Sequence, residues 1–93
     1  MSGFKRINEH LNVIYKQLKY YRKQEDLSYE DLSKRLQLQG VNMLKQRICE
    51  IEQDKRAVRD FEIYALAKAL GISIYDLLAD TEEILEEDKN NKD

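Results

Sequence analysis

The sequence predicts an all-α fold, and three observations predict it. Proline is absent and only three glycines occur, so few positions break a helix. Apolar residues recur at three- and four-residue steps through most of the chain. Polar caps and glycine stops divide that pattern into five helical segments. The 93 residues suffice for one domain with a small core.

Residues 1–11 read as an N-terminal arm or a helix extension. Phe4, Ile7 and Leu11 have helical spacing, while Ser2-Gly3 favours a frayed start. Asn12 is the expected N-cap of a first helix over Val13 to Gln24. Ile14, Leu18 and Tyr21 give its apolar face, and Lys16, Lys19, Arg22 and Lys23 make the rest basic. Ser28-Tyr29-Glu30-Asp31 reads as a capping box that opens a second helix from Tyr29 to about Leu38. Leu32 and Leu36 are its core positions, and Gly40 suits the left-handed residue beyond its end.

The third helix covers Met43 to Gln53. Leu44, Ile48 and Ile51 recur at i, i+4, i+7 and predict one apolar stripe. The opposite face carries Gln46, Cys49, Glu50 and Gln53, with Lys45 at its edge. Amide, ammonium and carboxylate groups on one helix face suit a DNA major groove, and they equally suit a solvated surface. Lys55, Arg56 and Arg59 follow in a loop. A fourth helix is expected from Phe61 to Leu70, capped by Asp60, with Phe61, Tyr64, Leu66, Ala67 and Leu70 among its core positions. Gly71 ends it. Ser73 to Asp76 forms another capping box and opens a short fifth helix through Leu78.

Residues 80–93 read as an acidic tail. A short helix at Thr81 to Glu87 is expected there, with disorder from Asp88 onwards. Net charge is −2, unevenly spread. Residues 1–78 carry 14 Lys/Arg against 11 Asp/Glu, and residues 79–93 carry 2 against 7. Nucleic-acid binding therefore needs local clustering rather than a global field.

Three stretches carry a resemblance. Leu27–Leu36 (LSYEDLSKRL), Ile48–Arg56 (ICEIEQDKR) and Leu66–Ser73 (LAKALGIS) resemble the lambda-repressor-like helix-turn-helix family of bacterial and phage transcription regulators. The resemblance covers about residues 12–78 and implies a compact five-helix DNA-binding domain, taken here as residues 12–79. It implies that the third helix enters the major groove, with Lys45, Gln46, Arg47 and Glu50 at base-reading positions. Lys suits guanine O6/N7, Gln suits adenine N6/N7, and Glu accepts from cytosine N4. It implies phosphate contacts from Ser28, Tyr29, Lys55, Arg56 and Arg59. It also implies a structural ion pair between Arg22 and Glu52. The chain departs from the family pattern at four points. Ile48 lies 12 positions after Leu36, which lengthens the turn. Leu44 stands where the recognition helix usually has a Ser or Thr cap. Glu50 brings a negative charge to the groove face, and Asp54 replaces a glycine.

Other chemistry finds little footing. The lone Cys49 on the outer face offers a redox switch no visible activation. His10 is the only histidine and has no partner cluster, so no metal site and no cofactor is expected. No glycine-rich phosphate loop and no nucleophile–base pair occurs, so the chain does not read as an enzyme. A single thiol and no signal peptide predict a reducing, cytoplasmic setting, with nucleoid association when DNA is bound. No apolar run has membrane-spanning length.

Two functions follow. The first is a homodimeric, sequence-specific binder of double-stranded DNA that regulates, most simply represses, transcription from a palindromic operator. Ile74, Leu77 and Leu78 of the fifth helix are its expected dimer surface, aided by Ile84 and Leu85. The second is a protein-interaction module, an antitoxin or adaptor whose acidic tail holds a basic protein partner.

Overall fold

The computed structural model describes residues 8–87. The N-terminal stretch with Phe4 and Ile7, and the tail from Asp88, lie outside them. The described residues form six helices: α1 Tyr15–Gln24, α2 Tyr29–Gln37, α3 Lys45–Glu52, α4 Asp60–Leu70, α5 Ile74–Leu77 and α6 Thr81–Glu86.

Four helix ends close in the same way. After α1, the Leu27 N–H donates to the Arg22 carbonyl and the Asp26 N–H to that of Lys23. After α2, Val41 donates to Leu36 and Gly40 to Gln37. After α3, Lys55 donates to Glu50 and Asp54 to Ile51, and after α4, Ile72 donates to Ala67 and Gly71 to Lys68. Each is a Schellman closure, which requires one residue with positive φ. Gly40 (φ 79°) and Gly71 (φ 73°) supply it at two ends, and Asp26 (φ 56°) and Asp54 (φ 58°) at the others.

The starts are less uniform. Ser28 Oγ accepts from the Asp31 N–H at 3.0 Å, and the Asp31 carboxylate accepts in turn from the Ser28 N–H at 3.1 Å. The bond from the Ser28 N–H, and next the Ser28 hydroxyl, holds the Asp31 carboxyl below the usual carboxylate range. Ser73 and Asp76 repeat the box at α5. Asn12 is not the expected cap, since α1 begins at Tyr15. Its carbonyl oxygen instead accepts from the Ile14 N–H, while its amide donates to the carbonyls of Ile51 and Arg56 at 3.0 and 2.9 Å. Asn12 is therefore buried as a pin between the entry to α1 and the exit from α3. Asp60 is likewise inside α4 rather than capping it. The carboxylate of Glu62 accepts from the Arg59 N–H at 2.9 Å.

Ile14, Leu18, Leu32, Leu36, Met43, Ile48, Ile51, Leu66, Leu70 and Leu77 form the centre of the core. Burying each large side chain contributes roughly 1.5–3 kcal/mol against chain entropy. Three expectations about this core are overturned. Leu44 is 65% exposed, and Met43, at 1%, takes the buried place before Ile48. Phe61 and Tyr64 lie outward on α4, which buries Glu62, Ala65, Leu66, Ala69 and Leu70 instead. The alanines let α4 pack closely, and Glu62 can be buried because its carboxylate is paired. Leu77 is fully buried and Leu78 packs half-buried against the same core, so neither is an open contact surface. Ile84 of α6 is also buried, so the start of the acidic tail packs on the fold.

The long turn between α2 and α3 is tied at two places. Ser33 Oγ donates to the Met43 carbonyl at 2.7 Å, and the Gln39 amide donates to the Ala65 carbonyl at 2.9 Å. The added residues thus form a Schellman closure and an extended run into α3, and they leave the α2–α3 packing intact.

Candidate nucleic-acid interface

The N-terminal turn of α3 is open to solvent. Lys45 and Gln46 are exposed there, the third helical residue, Arg47, is half-buried, and no side chain caps the helix at Leu44. Gln46 donates to Glu50 Oε2 at 3.2 Å, one turn on. Arg56 meets the other oxygen of Glu50, with Nη2 at 2.6 Å and Nε at 3.0 Å. The Arg56 bonds, and next the Gln46 bond, hold Glu50 below the usual carboxylate range. Glu50 is therefore a charged acceptor shared by a base-reading candidate and a phosphate-contact candidate.

Two residues expected at DNA are engaged elsewhere. Arg47 Nη2 pairs with Glu62 Oε1 at 3.0 Å, and the same oxygen accepts from the Arg59 N–H. Arg47 Nε is buried with no partner. This side chain leans toward α4 and away from the groove face. The Tyr29 hydroxyl donates to Glu52 Oε1 at 3.0 Å. Arg22 pairs with Glu52 through Nε at 2.6 Å and Nη2 at 3.2 Å, donates to the Leu27 carbonyl, and lies 4.2 Å from the Tyr29 ring centre. One cluster thus joins α1, α2 and α3. Burial first, then the bond to Glu52, pushes the Tyr29 phenol up to about 12. The bond to Glu52 raises Arg22 as well.

Phosphate-binding groups remain beside this cluster. The Ser28–Asp31 box uses the first and fourth amides at the start of α2, and the amides of Tyr29 and Glu30 have no intrahelical acceptor by geometry. Lys55, Arg56 and Arg59 are exposed in the loop after α3. An open α3 N-terminus, the start of α2 and a basic loop form a surface that suits duplex DNA.

A helix-turn-helix family model matches residues 18–77, well over half the chain. The chain belongs to the lambda-repressor-like helix-turn-helix family. It is accordingly a DNA-binding transcription regulator. Searches of curated proteins and of solved structures returned no match.

The helix-turn-helix carries a support that the sequence did not announce. His10 is buried, with Nδ1 2.7 Å from Asp54 Oδ2 and Nε2 2.7 Å from the Glu87 carbonyl. A carbonyl only accepts, so Nε2 carries a proton. Asp54 Oδ1 also accepts from the N–H groups of Leu11 and Asn12 at 2.8 and 3.2 Å. Expected as an isolated histidine and a stray charge, His10 and Asp54 are partners. Asp54 stands where the family has glycine because that position is left-handed, and its carboxylate ties residues 10–12 to the end of α3. Glu62 was equally unmarked, although its place three residues after Arg59 is a capping-box spacing. Cys49 is half-buried rather than fully outward, and Gln53 donates to its Sγ at 3.2 Å. Among the described residues no cluster suits a metal ion, and no helix is long and apolar enough to cross a membrane.

Proposed function

We propose that this regulator acts as a homodimeric repressor at a roughly palindromic operator. The open first turn of α3, with exposed Lys45 and Gln46 beside the Glu50–Arg56 pair, carries the reading. Lys45 and Gln46 read base edges. Glu50 either accepts from cytosine N4 or positions Gln46 and Arg56 for their own contacts. Lys55, Arg56, Arg59 and the first amides of α2 hold phosphates. Arg47 contributes by fixing α3 to α4.

Dimerisation in this reading uses the exposed Ile74 and Tyr75 of α5 with Tyr64 of α4, since Leu77 is core. Half-sites then lie about one helical turn, ~34 Å, apart on one face of the DNA. Repression follows from covering a promoter. The antitoxin or adaptor reading draws no comparable support, because α6 of the acidic segment packs on the fold through Ile84.

Selection of bound duplexes from a random library near physiological salt tests the proposal. An enriched inverted repeat is the expected outcome, and a folded protein that enriches no sequence would refute it. On the enriched site, Gln46→Ala should relax the preference at one base position. Arg56→Ala should weaken all sequences alike and lower the salt slope by about 1.

A further inference from the structure

We propose that Leu44 is a base-reading residue that packs on a thymine methyl group. The inference rests on the DNA-binding reading above and deepens it. Leu44 occupies the N-cap of α3 in an extended conformation, φ −78° and ψ 160°. This position favours Ser, Thr, Asp or Asn, whose side chains satisfy a first-turn N–H. A leucine gives that bond up, and α3 has no side-chain cap. Nor does the fold recover the loss by burial. Leu44 is absent from the core cluster, where its neighbour Met43 fills the space before Ile48.

The result is an apolar side chain held in water at the end of α3 that carries Lys45 and Gln46. Its branched methyl groups have no polar atom with which to contact a base edge or a phosphate. One apolar group lies in the major groove of B-DNA, the C5-methyl of thymine. The two chemistries match. Lys45 and Gln46 find acceptors and donors on neighbouring bases, and Leu44 adds the distinction between thymine and the other three. The extended N-cap projects from the helix end, so its base should sit at the edge of the three or four read by α3.

The test uses the enriched operator with each thymidine of a half-site replaced in turn by deoxyuridine, which removes only the methyl group. Wild type should bind about three- to fivefold more weakly at one symmetry-related thymine, the scale of one buried methyl. Leu44→Ser restores a capping hydroxyl, so it should melt at or above wild type. It should bind the thymidine and deoxyuridine duplexes equally, as should Leu44→Ala. A wild type indifferent to every replacement, a penalty retained in both variants, or a half-site without thymine would each overturn the inference while leaving DNA binding intact. Failure to enrich any operator would instead overturn the reading beneath it.

Discussion

Tyr29 illustrates how one side chain changes role between sequence and structure. Its place at the start of α2 resembles a phosphate contact, yet its hydroxyl serves Glu52 and its ring faces Arg22. The consequence is a pH signature. The phenol sits near 12 in the folded chain against an ordinary 10.0. A raised value means that the folded state keeps a proton the unfolded state has lost. Stability from this group is therefore complete below pH 10 and drains away as pH rises toward 12. Melting temperature followed across that range should fall more steeply for wild type than for Tyr29→Phe, which has no phenol to titrate. Parallel curves would remove Tyr29 from the account. Glu52 is the charge that this cluster surrounds. Truncating it would leave Arg22 buried without its partner, a loss of roughly 3–5 kcal/mol when such a pair is fully buried and less here, where Arg22 is partly open.

At the scale of the helix, the closures separate two aspartates that look alike. Asp26 and Asp54 both hold the left-handed position of a Schellman closure. The left-handed conformation costs an L-residue roughly 1–2 kcal/mol, and glycine loses about 0.5–1 kcal/mol through its unfolded freedom. Asp26 is exposed and its closure uses main-chain atoms, so Asp26→Gly should stabilise by about 0.5 kcal/mol in urea unfolding. Asp54→Gly makes the same backbone change but forfeits the bonds to His10, Leu11 and Asn12, so it should destabilise. Equal effects of the two substitutions would contradict this distinction.

The same comparison shows what the sequence could express. Helix positions were legible because caps, glycines and apolar steps are local signals, and the Ser28–Asp31 and Ser73–Asp76 boxes formed as written. Partners were not legible. Nothing local says that Glu62 receives Arg47, or that Asp54 receives His10 from 44 positions away. Nor could the period of α3 decide between Met43 and Leu44, adjacent residues of similar size, for the one buried place. On α4 eight of the eleven positions are apolar or aromatic, and one of the three charged residues, Glu62, is buried, so periodicity gave a misleading phase and placed Phe61 and Tyr64 inside.

For the whole molecule, the homodimer proposal turns on the exposed face of α4 and α5. Exposed Tyr64, Ile74 and Tyr75 lie on α4 and α5, and a shallow groove lined by Tyr64, Ala67, Lys68, Ile72, Ser73 and Ile74 runs between them. Tyr75 is 86% exposed, so Tyr75→Lys should leave melting nearly unchanged. Together with Ile74→Lys it should shift sedimentation toward the monomer and weaken operator binding at least tenfold, since two half-sites no longer act together. A double variant that sediments as wild type would overturn this surface as the dimer contact, and a wild type that sediments as a monomer would overturn the homodimer proposal itself. Leu77→Lys could not serve, because it would bury a charge in the core.

The His10 bond to Glu87 and the Asn8 bond to the Leu85 carbonyl bring distant parts of the chain to one corner, beside the last turn of α3. That corner is at the opposite end of α3 from Lys45 and Gln46. A label on this corner therefore sits at the far end of the helix from the base-reading turn. A dye pair attached at the exposed positions 9 and 86 would then report release of this corner by a change in energy transfer.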